Sequence, residues 1–231
     1  MFKYDIHVHS AGTSHCGKST AREMVDAALN SGFSGFVLTN HFYNGNTIID
    51  RKAPWKDFVD VYANEYYDAV EYGEKKGIKV FFGIEEVYAP GKEVLVYGIT
   101  PKQLISCSDY KKLSGIERLE FFKDSGAFLI HSHPFRARAY IPNPDALPDM
   151  KYFDGIECYN YFNQPEENVK AFVFANNINT VMTSGCDVHN AEHFGNAGLA
   201  FKKPVNTIEE LIENMKSKNF SLIHPFNSAE I

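Results

Sequence analysis

Two imidazoles stand two residues apart in Asp5-Ile6-His7-Val8-His9, inside a short apolar run. In an extended strand, residues i and i+2 point to one face. His7 and His9 can therefore converge on one point, and neutral imidazole is the commonest side-chain ligand for zinc and its neighbours. A single His-x-His pair is more often a surface or satisfied core feature than a ligand pair, so recurrence decides between the readings. The chain has nine histidines, and most follow strand-like runs: His41 after Phe36-Val37-Leu38-Thr39, His131 and His133 in or after Ala127-Phe128-Leu129-Ile130, and His189 after Thr180-Val181-Met182-Thr183. Metal-dependent hydrolysis is the chemistry that such a set performs.

The elements that must hold these residues alternate between strand and helix. Lys3 to His9 reads as a strand, and Thr20-Ala21-Arg22-Glu23 is a capping box that opens a helix ending near Gly32. Phe36 to Thr39 is the next strand, followed by a long helix from about Pro54 to Lys76, with Gly77 after its end. Lys79 to Ile84 is a buried strand running into Glu85, and Tyr88-Ala89-Pro90-Gly91 turns the chain back into Val94-Leu95-Val96-Tyr97 as a hairpin. Ser114-Gly115-Ile116-Glu117 is a second capping box, and the strand carrying His131 follows its helix. Tyr140 to Pro148 reads as an irregular loop over the site. Asp154 to Cys158 reads as a strand, Pro165 to Asn177 as a helix and Asn179 to Ser184 as a strand. Thr207-Ile208-Glu209-Glu210 starts the last helix, and Phe220 to Ile223 is expected to be the closing strand.

Repeated strand-helix units imply a parallel sheet, either open or closed into a barrel. Candidate ligands follow several successive strands, and a closed barrel gathers all its strand C-termini at one mouth. No glycine-rich nucleotide fingerprint follows the first strand, which disfavours the open alternative. At 231 residues and 44% apolar composition the chain can bury one sizeable core, so residues 1–231 are expected to form one domain. No stretch approaches the roughly 20 apolar residues of a membrane span, and Met1-Phe2-Lys3-Tyr4-Asp5 enters a strand directly, so a cytoplasmic protein is expected. Cys16, Cys107, Cys158 and Cys186 lack Cys-x-x-Cys spacing and read as free thiols. A formal charge of -6 without basic clustering excludes an extended nucleic-acid surface and leaves a small phosphorylated substrate, drawn in by metals and a few arginines, as the better fit.

With these residues placed, the chain resembles the PHP (polymerase and histidinol phosphatase) superfamily of metal-dependent phosphoesterases. The resemblance rests on four motifs in order: Asp5-Ile6-His7-Val8-His9-Ser10, Leu38-Thr39-Asn40-His41, Ser132-His133-Pro134-Phe135-Arg136 and Gly185-Cys186-Asp187-Val188-His189. It implies a distorted seven-stranded (β/α)7 TIM-like barrel with up to three metals at the C-terminal ends of the strands. It further implies that His7, His9, Glu85 and Asp187 hold a first metal, that Glu85 bridges to a second that also takes His133, and that His15, His41 and His189 hold a third. A bridging carboxylate keeps two cations roughly 3.5 to 4 Å apart, close enough to clamp one phosphate.

This chain departs from the family pattern in places. Asn40 stands where the second motif usually has Asp, removing a negative charge beside His41. Glu93 stands where many relatives place a metal-binding His, so a carboxylate-rich second site is expected, favouring manganese or iron over zinc. The implied activity is hydrolysis of a small phosphate ester by metal-bound hydroxide, with Arg136 as a phosphate clamp and His189 or His193 as general acid. Arg138 is a second clamp candidate, and Tyr159, Tyr161 and Phe162 are candidates for a pocket wall. His131 is expected to be a polar barrel residue, and Glu86, on the opposite strand face from Glu85, is not expected to bridge. An amidohydrolase-type metal hydrolase and a metal-binding PHP module without significant turnover are the competing classes. His15 and the His-Pro-Phe-Arg segment speak against the former, and the nearly complete ligand set against the latter.

Overall fold

The computed structural model describes residues 1–225. Its strands are β1 (Phe2–Val8), β2 (Gly35–Leu38), β3 (Lys79–Ala89), β4 (Lys92–Tyr97), β5 (Phe128–Ser132), β6 (Gly155–Asn160), β7 (Val181–Gly185), β8 (Gly198–Phe201) and β9 (Ser221–Ile223). The helices are α1 (Ala21–Asn30), α2 (Trp55–Lys76), α3 (Pro101–Ser106), α4 (Gly115–Asp124), α5 (Pro165–Asn177) and α6 (Ile208–Lys216). The strands form one sheet of nine in the order β7-β6-β5-β4-β3-β2-β1-β8-β9.

This α/β sheet is a nearly closed barrel, and the expected (β/α)7 count is corrected by it. β1, β2 and β3 pair in parallel, as do β5, β6 and β7, but β4 runs antiparallel to both β3 and β5. The Pro90-Gly91 hairpin is the cause: a tight turn permits only an antiparallel return. β8 was not expected, and it pairs antiparallel with β1. β9 forms its strand ladder with β8 and none with β7 among the described residues, so the ring of ladders stays open there. The seam is bridged instead where His9 N–H donates to Val188 O at 2.9 Å and Ser184 Oγ donates to Ile223 O at 2.7 Å. The first and fourth motifs are thus neighbours at the mouth.

Local chemistry explains the helices. Both capping boxes form: the Thr20 side chain accepts from Glu23 N–H, and Ser114 from Glu117 N–H, while each glutamate reaches back to its cap. α2 buries Trp55, Phe58, Val59, Tyr62 and Ala63, the spacing of one helix face, and ends at Gly77 with φ 74°, a left-handed cap that glycine adopts without steric cost. That face packs on Phe82, Ile84, Val94 and Val96 of the β3–β4 hairpin. α1 sets Met24, Val25 and Ala28 on Phe36 and Leu38, and α6 sets Leu211 and Met215 against Tyr4, Leu95, Tyr97 and Phe201. Burying each such side chain contributes about 1.5 to 3 kcal/mol. These contacts fix the strand ends from which the site is built. Among the described residues, no helix is long and apolar enough to cross a membrane.

Candidate metal centre

Histidine and carboxylate side chains converge at the C-terminal ends of β1, β2, β5 and β7, around Glu85 in the middle of β3. His7 and His9 lie on one side of the first strand end, their ring centroids 5.1 Å apart. Glu85 sits between them and the rest of the set: its carboxylate oxygens lie 3.2 Å from His7 Nε2, 3.3 Å from His9 Nε2, 3.1 Å from His133 Nε2 and 3.0 Å from His41 Nδ1. Asp187 Oδ1 is 3.5 Å from His7 Nε2 and 3.2 Å from His9 Nε2. Glu93, reaching in from β4, is 3.4 Å from His133 Nε2 and 3.6 Å from His41 Nδ1. Two donors each about 2.0 to 2.2 Å from one ion in tetrahedral geometry stand about 3.3 to 3.6 Å apart, so these spacings suit shared ions.

The surrounding hydrogen bonds present the correct atoms. A carboxylate only accepts, so His7 Nδ1–H donates to Glu157 Oε1 at 2.8 Å and Nε2 keeps its lone pair for the centre. Ser14 Oγ donates to Asn40 Oδ1 at 3.0 Å and accepts from His41 N–H at 2.9 Å, leaving a lone pair toward His9 Nδ1, 3.4 Å away. His9 Nε2 is thereby turned inward in the same way. His7 Nε2, His9 Nε2, His41 Nδ1 and Glu85 Oε2 are buried without a hydrogen-bond partner among the described residues. Orphaned acceptors that converge on one point are what a metal site leaves behind in a protein-only hydrogen-bond network. The residues present therefore fit divalent metals.

Electrostatics agree. Burial opposes charge on the His7 imidazole, yet Glu157, Asp187 and Glu85 raise its pKa well above the ordinary value. Burial would raise Asp187, but His7 and Arg136 hold it well below the usual carboxylate range. Burial and His9 push His189 down to about 4, which keeps it a neutral, ligand-ready imidazole. A field that favours a proton on His7 this strongly also favours a divalent cation.

The donor atoms fall into overlapping groups: His7 with His9 and Glu85, His7 with His133 and Asp187, His41 with Glu85 and Glu93, and His9 with His41 and His189. The structure thus brings together every sequence-proposed ligand except His15. Ser14 makes an isolated bridge to Thr47 and His15 N–H donates to Asn46 O at 2.8 Å within a turn, where the His15 side chain is left exposed. His131 also lies outside the donor groups. The chain leaves β5 at Ser132 and turns at His133, whose φ is 29°, so the i, i+2 relation fails and His131 faces Tyr88 Oη at 2.8 Å. Glu86 points away from the centre to Asn44 N–H, Tyr110 Oη and Arg118, as its strand position requires.

Arg136 is already engaged. Its Nη2 donates to Asp187 Oδ2 at 2.6 Å and Asn160 Oδ1 at 2.9 Å, and its Nε donates to Asn163 Oδ1 at 2.9 Å. Arg138 is spent on Glu167 and on the Ala137 and Phe162 carbonyls. His193, named as a general-acid candidate, packs against Tyr161 and Phe162, outside the donor groups and the cavity wall. Asn40, in place of an expected Asp, ties down Ser10 and Ser14 and makes no bond to the His41 ring.

The residue that sequence reasoning passed over is Glu157. Its carboxylate also accepts from His133 N–H at 3.0 Å and Asn160 Nδ2–H at 3.0 Å, so one buried group orients ligands from two strands. A side chain at residue 185 would place its Cβ 2.6 Å from both Glu157 Oε1 and His7 Cβ, which is why glycine precedes Cys186-Asp187. The available signal was a lone acidic residue in the otherwise uncharged run Gly155-Ile156-Glu157-Cys158-Tyr159-Asn160.

A cavity of about 490 Å³ opens over the centre, walled by Cys16, His41, Glu93, Arg136, Asp187 and His189, with Asn44, Asn46 and Tyr140 at its rim. A hollow of about 550 Å³ between α2, the start of α3 and the start of α6 contains no histidine and none of the donor groups.

The profile of the PHP domain family matches residues 5–181. No curated protein matches the chain. Among solved structures, it is similar to a two-domain protein from Bacteroides vulgatus containing a predicted PHP-like metal-dependent phosphoesterase, with 18% identity, a TM-score of 0.69, and coverage of 96% of this chain and 64% of that one. It is also similar to an amidohydrolase from Chromobacterium violaceum with bound sulfate (14% identity, TM-score 0.61, 98% and 99% covered). A third is the lesion-specific endonuclease PfuEndoQ from Pyrococcus furiosus (13% identity, TM-score 0.64, 96% and 57% covered). At these identities the three likenesses establish a shared fold, and the chain spans under two thirds of the first and third.

Proposed function

Because the chain belongs to the PHP domain family, whose structural neighbours include PHP-like metal-dependent phosphoesterases, we propose that it hydrolyses a small phosphate ester at the centre around Glu85. The observation that carries this reading is the convergence of orphaned His7, His9 and His41 nitrogens on one shared, buried carboxylate beside an arginine. His7, His9, Glu85 and Asp187 would hold one ion, and Glu85, Glu93 and His133 a second. When bound, such ions supply Lewis acidity toward phosphate oxygens and make a coordinated water acidic enough to attack at neutral pH.

The protein's own part is positioning. Glu157 sets the His7 tautomer, and Ser14 does so for His9. Arg136 holds Asp187 in place while lining the cavity, so its guanidinium presents positive charge to a phosphate and orients a ligand together. His189, neutral and stacked on His9 with centroids 4.7 Å apart, serves as a donor and not as a general acid. The acidic wall of Glu93 and Asp187 admits a phosphate only when metals offset its charge, which makes activity strictly metal-dependent.

The test is phosphate release from a panel of mono- and diesters by protein reconstituted with manganese, zinc or iron, alongside Glu85→Gln. Turnover that requires metal and vanishes in the variant supports the reading. Stoichiometric metal binding with no turnover on any ester would leave a binding module, and hydrolysis confined to amide substrates would move the chemistry to the amidohydrolase class.

A further inference from the structure

The segment Ser14-His15-Cys16 alternates faces. Ser14 is buried against Asn40, His15 is exposed, and Cys16 turns back to line the cavity with His41, Asp187 and His189. The Cys16 side chain stands on the cavity wall that His41 and His189 share, with its sulfur, as placed, outside their donor group. Donor atoms of His9, His41 and His189 lie within 4.8 Å of one another, and His9 Nε2 and His41 Nδ1 are orphaned in side chains that are 0% and 11% exposed. Three imidazoles make an incomplete tetrahedral set, and the histidine expected to complete it faces solvent.

We propose that Cys16, in place of His15, supplies a thiolate donor to a metal held by His41 and His189. Resting on the metal-dependent reading above, this divides the centre chemically. Glu85 and Glu93 offer hard oxygens on one side, and Cys16 with the imidazoles offers a soft set on the other. Binding forms a sulfur–metal bond and releases the thiol proton to water. Cys has a single heavy-atom torsion, χ1, so turning the sulfur toward the ion requires one rotation. The soft side should select zinc or cobalt, while the oxygen-rich side accepts manganese or iron.

Cobalt reports the sulfur directly. Metal-free protein is titrated with Co²⁺, following bound equivalents and the near-ultraviolet sulfur-to-cobalt charge-transfer band, for wild type, Cys16→Ser, His15→Ala and Cys107→Ser. The band should appear in wild type, His15→Ala and Cys107→Ser and be lost in Cys16→Ser, which should also bind its last cobalt at least tenfold more weakly. Zn²⁺ should protect Cys16 from iodoacetamide, read by peptide mass spectrometry. Cys158 and Cys186 are buried and bonded to the Thr183 and Ala197 carbonyls, so neither supplies the band. Cobalt that binds without the band overturns the thiolate donor while leaving the metal centre intact. Loss of one cobalt in His15→Ala, with none lost in Cys16→Ser, returns the role to His15. No cobalt binding at all removes the metal centre, and the thiolate donor with it.

Discussion

Glu157→Gln gives a direct test of how the site is held. The carboxylate accepts from His7 Nδ1–H, His133 N–H and Asn160 Nδ2–H, at 2.8, 3.0 and 3.0 Å. Glutamine has one oxygen and one amide NH2 in the same space. If its oxygen faces His7, the NH2 meets the His133 and Asn160 donors. If it is reversed, the NH2 meets His7 Nδ1 and forces the proton onto Nε2, the atom that must bind metal. Each charge-assisted bond is worth about 1.5 to 3 kcal/mol, and losing such support costs about 10- to 100-fold in metal affinity, or about 1.4 to 2.8 kcal/mol. Competition against a chromophoric chelator, with zinc and with manganese, measures this, and the melting temperature of the metal-free protein monitors folding. Glu86→Gln is the control: Glu86 is equally buried but faces Asn44 and Tyr110, so it should shift stability and not affinity. Wild-type metal affinity in folded Glu157→Gln would refute the claim that this carboxylate sets the His7 tautomer.

Glu85→Gln should lose metal and ester hydrolysis together, as counted by elemental analysis, because the carboxylate stands within 3.3 Å of four imidazoles. Glu93→Ala should weaken one metal by about 10- to 100-fold and Glu93→His should retain it; full metal content in the alanine variant would reduce Glu93 to a cavity-wall residue. Arg136→Ala should lower kcat/KM by about 10- to 150-fold and, because its guanidinium holds Asp187 at 2.6 Å, should also weaken metal binding. An unchanged metal affinity would confine Arg136 to the substrate. Thr20→Ala, distant from the site, should cost about 1 kcal/mol, seen as a melting temperature lower by about 2 to 4 °C with metal content unchanged.

The sequence by itself determined the ends of elements and the chemistry of the mouth. Capping boxes at Thr20 and Ser114, the turn at Pro90-Gly91 and the helix Pro165–Asn177 are local, because each depends on residues within one turn of one another. The ordered His, Asp and Glu motifs announced a metal centre because residue type alone restricts what such a set can do. Tertiary structure decided everything that depends on residues distant in the chain. β8 and the short helix α3, with its own Thr100–Gln103 box, lie in stretches whose roles are set by their neighbours, β1 and α2. Glu157 acquired its role only when β6 was laid within reach of His7, 150 positions earlier in the chain. At Ser14-His15-Cys16 the contest was between adjacent residues, and the folded chain leaves His15 exposed and Cys16 on the cavity wall. Side-chain direction in an irregular loop follows from the backbone pairing that holds it, and that pairing is made by residues the loop meets only in the folded chain.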